Sequence, residues 1–256
     1  MTAATTTRSC LVLAPHPDDE TLGCGATIAR KRAAGTPVRV LVAADGRSSH
    51  RSELVGPDEL AALRAAEVLD ACAILGVGPD AVVRLGFEDE SLTRRTSELA
   101  DAIAAEVDAF APDEVRLPSR RDWHPDHRGL REALDLALRG RRRPPRVLEH
   151  PVWLWVHGPW DADPGGPWAR RRPMPLLQGW FGRAAWSRAE LVSTAGFLGR
   201  KQRALLAHRS QTSNLTGEAG WATFDASFVA SFLLPVEVAF PAHPAAPSSA
   251  ASSSVT

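Results

Sequence analysis

Between residues 10 and 138 the chain alternates short β-branched runs with alanine-rich amphipathic stretches, and no other feature restricts its fold as strongly. Strands are expected at Cys10–Ala14, 38–43, 81–85 and 114–117, and helices at 21–34, Pro57–Leu75, 91–110 and 127–138. The second helix is the best marked. Pro57 stands near its start, Leu60, Leu63, Ala66 and Leu69 are spaced for one apolar face, and Gly76 lies just beyond its end. Strands that alternate with helices are joined by right-handed crossovers, so the expected class is α/β, with a mostly parallel sheet covered by helices on both faces. Ligands of such sheets bind outside the carboxyl ends of the strands. That rule singles out the loops after the first and fourth strands.

The first loop reads Ala14-Pro15-His16-Pro17-Asp18-Asp19-Glu20. It gathers metal-ligand and acid–base residue types on one strand-to-helix turn. An N-cap role for Asp18 or Asp19 would account for one carboxylate, but for neither His16 nor the pair. The second loop reads Asp122-Trp123-His124-Pro125-Asp126-His127. Two histidines three apart can converge on one point, although such a spacing alone is equally at home on a polar surface loop. Zinc takes imidazole nitrogen and carboxylate oxygen, and a catalytic site keeps three protein ligands and one open position. Two ligands from the first loop and one from the second would meet that count.

The stretch LVLAPHPDDETLGCGATIARKRAAGTPVRVLVAADG, followed by HPDH, resembles the PIG-L/LmbE-like family of zinc-dependent N-acetyl-sugar deacetylases. The blocks LRAAEVLDACAILGV, LGFEDESL and KQRALLAHRSQT also fit it, extending the resemblance over residues 11–240. The family implies a Rossmann-like three-layer fold and a zinc site, with another divalent metal as an option. By position, His16, Asp19 and His127 match its metal ligands, and Asp18 its general base. His124 matches the histidine that stabilises the oxyanion, and His208 one that hydrogen-bonds the base. Arg64 and Asp89 fall where relatives touch the sugar. The chemistry is consistent with these types: an amide is a poor electrophile, and a cation polarises its carbonyl and acidifies water. Asp18 beside a cation is expected to be ionised at neutral pH, and a protonated His124 to meet the oxyanion. Some relatives place a tyrosine just before HPDH. This chain has no tyrosine, and the aligned residue is Asp122, which either has no counterpart role or orients a neighbour such as His124.

Beyond residue 138 the texture changes. Residues 139–146 read as a basic, proline-interrupted loop, and six of the eight tryptophans fall between Trp153 and Trp186 in a stretch rich in Pro and Gly. This stretch, at about 150–186, is expected to be a lid on a single domain spanning 1–243, with aromatic faces that can stack on sugar. A strand is expected at 189–192, a helix at 196–208, and a disordered Ala/Ser/Pro tail at 244–256. Gly23-Cys24-Gly25 lacks the spacing of a phosphate loop and is expected to serve close packing. The Arg141–Arg143 and Arg170–Arg172 clusters are read as solvated, and His50, His150, His157 and His243 as structural or surface residues.

Thirty basic and thirty acidic residues cancel, which excludes a general nucleic-acid footprint. Only Lys31 and Lys201 are lysines, so single arginines carry little weight. No apolar run approaches the ~20 residues of a membrane span, residues 1–9 contain no secretory h-region, and three scattered cysteines form no CxxC pair. The expectation is a cytoplasmic hydrolase of a small amino-sugar glycoconjugate, with homo-oligomerisation left open. Two alternatives stand beside it: a zinc amidase cleaving a larger N-acyl or thiol-conjugate amide, and a non-catalytic sugar- or nucleotide-binding module.

Overall fold

All five residues of β1 (Cys10–Ala14) are apolar and buried, which only a strand covered on both faces can satisfy. The structure, a computed structural model, describes residues 4–157 and 188–242. Around β1 stand β2 (Val38–Ala44), β3 (Val82–Phe87), β4 (Glu114–Pro118), β5 (Arg146–His150), β6 (Glu190–Ser193) and β7 (Val236–Ala242), in the order β3-β2-β1-β4-β5-β7-β6. The pairs from β3 to β5 are parallel, and β7 runs antiparallel to both β5 and β6. Alternate residues feed two cores. Leu11, Leu13, Leu41 and Val115 pack on α3 (Thr96–Phe110) and α4 (Pro125–Leu138). Val12, Val40 and Val42 pack on α1 (Asp19–Ala33), α2 (Pro57–Leu75) and α5 (Leu198–Ala207). The winding reverses between β1 and β4, so the two motif loops leave neighbouring strands at the switch point, where open α/β sheets form their ligand crevice.

The sequence expectation differs from the structure in several places. Helix α2 buries Leu60, Arg64, Glu67, Val68, Ala71, Cys72 and Leu75, so of the expected stripe only Leu60 is buried and Ala66 is exposed. Helix α3 starts at Thr96 rather than residue 91, because the Asp126 carboxylate accepts from the Glu90 and Leu92 amides and holds that turn out of helical form. Strand β5 is not among the expected strands, because prolines flank it and charges interrupt it, but β4 and β7 pair with it on either side. Strand β7 was not anticipated at all. Most of the expected lid, residues 158–187 with Trp160, Trp168, Trp180, Trp186 and Arg170–Arg172, lies outside the described residues. So do His243 and the expected tail.

Helix α1 breaks at Cys24, whose φ is −148°. The break leaves backbone groups without helical partners, and buried side chains from the C-terminal region take them up. Lys201 Nζ donates to Leu22 O at 2.8 Å, while Glu237 accepts from the Ala26 and Thr27 amides at 2.8 Å each. Lys201 and Glu237 are themselves paired at 2.8 Å. Gly23 lies so close to the His150 ring that a Cβ there would fall 2.0 Å from it, and the expected close-packing role of this glycine pair holds. Among the described residues no helix is long and apolar enough to cross a membrane.

Candidate active site

The turn after β1 is held in a conformation that a free peptide would not adopt. Asp18 sits at φ 146°, a region that disfavours any side chain. Three contacts impose it. Glu20 Oε2 accepts from the Asp18 amide at 3.1 Å, and Arg64 Nη2 donates both to Asp18 Oδ2 at 2.9 Å and to Pro17 O at 2.7 Å. Asp18 makes no side-chain cap bond, so helix capping does not explain it. Asp19 meets different partners, and its Oδ2 accepts from the His16 amide at 3.0 Å.

The loop after β4 meets this turn. Asp19 Oδ2 lies 3.3 Å from both His16 Nδ1 and His127 Nε2, and His16 Nε2 lies 3.1 Å from Asp126 Oδ2. His16, His124 and His127 each offer a ring nitrogen within 4.8 Å of the others. His127 is fully buried, yet neither of its nitrogens makes a hydrogen bond of good geometry among the described residues; Asp122 Oδ2 is 3.4 Å from Nδ1. A buried imidazole without a proper partner, facing a carboxylate and two further imidazoles, suits a divalent cation of borderline softness. The expected ligands His16, Asp19 and His127 are thus brought together, with His124 alongside.

The electrostatics divide the two carboxylates. Burial lifts Asp18 to about 7 against the pull of Arg64, whereas for Asp19 the positive field of His127 and His16 outweighs burial and holds it well below the usual range. Against burial, hydrogen bonds to Asp126 and Asp19 raise His16 to about 9, and the Asp19 charge leads the rise of His127 to about 10. His124 moves the other way, pushed down to about 4 by burial and by the neighbouring His16 and His127. An accepting Nδ1 replaces the protonated His124 expected from the sequence by a neutral ring. Its Nδ1 accepts from the Asp126 amide at 3.2 Å, so the ring proton is on Nε2.

Three further expectations change. His208 does not hydrogen-bond Asp18: its Nε2 is paired with Glu20 Oε1 at 3.0 Å, and Glu20 in turn grips the Asp18 backbone. Arg64 is 2% exposed and committed to the Asp18 turn rather than open to a sugar. Asp89 accepts from the Gly46 and Ser48 amides at 3.0 and 2.7 Å, fastening the loop after β2. Asp122 orients its neighbours by two routes. Its Oδ1 accepts from the His124 amide at 3.2 Å, while Oδ2, close to His127, also accepts from the Trp153 amide at 3.1 Å. Sequence reasoning passed over Asp126 and Glu20, although both stand inside the quoted motifs; an acid in a turn between two buried elements was the available signal.

A family model described as PIG-L, GlcNAc-PI de-N-acetylase, matches residues 11–138. A probable N-acetyl-alpha-D-glucosaminyl L-malate deacetylase 2 of Bacillus cereus is 28% identical over 150 residues, 57% of this chain and 67% of that protein. Diacetylchitobiose deacetylase of Thermococcus kodakarensis is 32% identical over 124 residues, 47% of this chain and 45% of its own length. The chain thus spans about two thirds or less of these relatives. Among solved structures, the A40926 pseudoaglycone deacetylase is similar with TM-score 0.62 and 21% identity, covering 94% of this chain and 99% of that one. The 4-carboxy-2-hydroxymuconate hydratase of Pseudomonas putida reaches 0.58 at 15% identity, covering 96% and 100%. Likeness at that distance establishes only the α/β fold, which deacetylase and hydratase share. The family model reaches further, because it matches half of the chain and contains both motif loops: the chain belongs to the PIG-L family.

Proposed function

We propose that the chain is a zinc-dependent hydrolase that removes the N-acetyl group from an amino-sugar glycoconjugate. His16, Asp19 and His127 would hold the metal, which when bound polarises the amide carbonyl and acidifies water. The observation that carries this reading is the convergence of those three side chains at the switch point, with the adjacent Asp18 held by Arg64.

The protein's own groups divide the remaining work. Arg64 occupies Asp18 Oδ2, leaving Oδ1 to take a proton from the attacking water, and a carboxyl poised near neutrality is suited to that task. As the C–O bond forms, charge grows on the carbonyl oxygen, and His124, with a ring nitrogen within 4.8 Å of those of His16 and His127, offers its Nε2–H to it. The C–N bond then breaks as the proton held by Asp18 passes to the amine nitrogen, releasing acetate and a free amino-sugar. A neutral imidazole of low pKa is a poor acid, so Asp18 rather than His124 returns the proton.

Support for the sugar comes from the relatives, whose names specify N-acetylglucosaminyl malate and diacetylchitobiose. The test is metal content and acetate release, measured on protein purified without chelator against N-acetylhexosaminides, larger N-acyl amides and thiol conjugates. Near-stoichiometric zinc and chelator-sensitive acetate release from an N-acetylhexosaminide are expected. Metal-free protein, or cleavage restricted to the larger acyl groups, would overturn the reading.

A further inference from the structure

Arg64 reaches the Asp18 turn from α2 on a long side chain with many rotamers, and such a side chain keeps a carboxylate in place only where its own freedom is restricted. Its Nη2 is committed to Asp18 Oδ2 and Pro17 O. The other arm of the guanidinium faces the loop after β2, with Nη1 3.4 Å from Gly46 O. Gly46 is buried at φ 78°, a conformation that glycine adopts without strain. A Cβ at this position would fall 2.6 Å from Arg64 Nη1 and 2.7 Å from its Cδ and Cζ. Arg64 is itself buried and bonded, so it could not step aside cheaply. The bare backbone of Gly46 is therefore a wall that keeps the guanidinium against Asp18.

That wall is fastened by the turn after β3. Asp89 Oδ1 accepts from the Gly46 amide at 3.0 Å, and Oδ2 accepts from the Ser48 amide at 2.7 Å. Bonds from backbone amides to an ionised carboxylate are among the stronger ones a loop can make. With one amide on each oxygen, the carboxylate fixes Gly46 and Ser48 relative to β3. The Asp45 amide donates to Phe87 O at 2.9 Å, so the two loops are also joined backbone to backbone where they leave the sheet. Among the described residues no hydrogen bond joins Asp89 to Arg64 or to Asp18. The connection runs through the backbone of Gly46.

We propose that Asp89 is a positioning residue for the base: it fixes Gly46, Gly46 confines Arg64, and Arg64 holds Asp18 Oδ2. This rests on the deacetylase reading above, in which Asp18 takes the water proton. With the wall loosened, the guanidinium gains room to turn, and Asp18 Oδ1 loses its aim at the attacking water. The part given to Asp89 differs from the sugar contact that the family resemblance implies, and the two are separable. A sugar contact is lost from substrate binding whatever residue stands at position 18. A residue that acts through Asp18 has nothing to act on once Asp18 cannot take a proton.

The experiment measures acetate release from an N-acetylhexosaminide such as N-acetylglucosamine in Asp89→Ala and Asp89→Asn, each alone and combined with Asp18→Asn. Asp89→Ala should lower kcat on the order of tenfold and leave KM within about twofold, inside the ~10² that a 1 Å misplacement can cost. Asp89→Asn, which keeps an acceptor for one amide, should recover part of the rate. In the Asp18→Asn background the loss should vanish, as expected of residues that work as one unit. Heteronuclear NMR of the Arg64 guanidinium in metal-free protein gives a readout independent of turnover. A guanidinium confined on both sides rotates slowly and shows separate Nη signals, and exchange between them should quicken in Asp89→Ala and in Gly46→Ala. A raised KM at constant kcat, an equal loss with and without Asp18, or Arg64 exchange as slow as in wild type would overturn the positioning role while leaving the deacetylase reading intact. Faster Arg64 exchange in Asp89→Ala, in a protein that releases no acetate as wild type, would instead overturn the deacetylase reading and support the clasp on Arg64.

Discussion

Residues 11–138 supply every candidate ligand and the proposed base, whereas residues 188–242 supply none. Yet the second region reaches back into the first at the strained Asp18 turn and at the break in α1. His208 holds Glu20, which holds the φ 146° turn of Asp18. Lys201 and Glu237 close the break in α1 directly behind that turn. Ser210 bonds Glu67 through its amide and hydroxyl at 2.8 and 2.7 Å, fastening α2, which carries Arg64. One region thus holds the reactive groups, while the other maintains the geometry in which they can act.

The comparison breaks most sharply in the first region. His127→Ala should remove bound metal and nearly all turnover together. Asp18→Asn should leave the metal in place and lower kcat on the order of 10²–10⁴, because an amide cannot take the water proton. Metal analysis beside a kcat measurement separates the two. Stoichiometric metal in His127→Ala, or near-normal kcat in Asp18→Asn, would dissolve the distinction.

A smaller effect is expected at Asp122, which belongs to the first region and supports it from behind, touching His127 and accepting from the Trp153 amide. Carboxylates behind a ligating histidine typically contribute ~10–100-fold to metal affinity. Competition against a chromophoric chelator should show a loss of that order in Asp122→Ala. An altered d–d spectrum of the cobalt-substituted variant should accompany it. Unchanged affinity with a lower Tm would make Asp122 a loop fastener only.

The legibility of the chain follows the same division. Strand β1 and the limits of helix α2 could be read because their signals are local, although α2 turns Arg64, Glu67 and Val68 inward rather than the expected Leu63, Ala66 and Leu69, and the two motifs could be read because their residue types are dense. The roles of His208 and Arg64 could not be read correctly. Their partners, Glu20 and Asp18, are far away in sequence, and only the folded chain shows which carboxylate each one meets. Strand β5 is charged because Glu149 is buried against Arg131 at 2.7 Å, a pairing that local hydropathy cannot register. Strand β7 carries Glu237 for the same kind of reason. Buried charge disguises a strand as loop.

His208 tests whether the support is catalytically felt. Without it, Glu20 keeps, among the described residues, only Thr21 Oγ1 and the Asp18 amide, and its hold on the strained turn weakens. His208→Phe should retain metal and lower kcat roughly tenfold, inside the ~10² that a 1 Å misplacement can cost. His208→Gln, which keeps a donor, should recover most of the rate. Equal kcat in the Phe variant would show that Asp18 keeps its position unaided.

The smallest effect on turnover, and the clearest on stability, belongs to Glu237. Burial opposes its ionisation, but Lys201, Thr27 and the Ala26 amide outweigh that and depress its pKa below the ordinary 4.5. A carboxylate of this kind contributes stability above its unfolded pKa, and the contribution disappears as pH falls through the lower folded value. The gap in stability between wild type and Glu237→Gln should therefore be widest near neutral pH and narrow steadily once the pH drops below about 4.5. Removing one member of a buried pair costs about 3–5 kcal/mol, because the other charge is left uncompensated. At neutral pH, Glu237→Gln should lose an amount near the lower end, since Gln still offers an oxygen to the freed amides. The double variant Glu237→Gln/Lys201→Met should be less destabilised than the sum of its singles, because it removes the stranded ammonium along with its partner. Denaturant unfolding at several pH values measures all three. A gap that stays constant with pH would mean that Glu237 works as a neutral hydrogen-bonding plug for the α1 break, and that its pairing with Lys201 adds nothing.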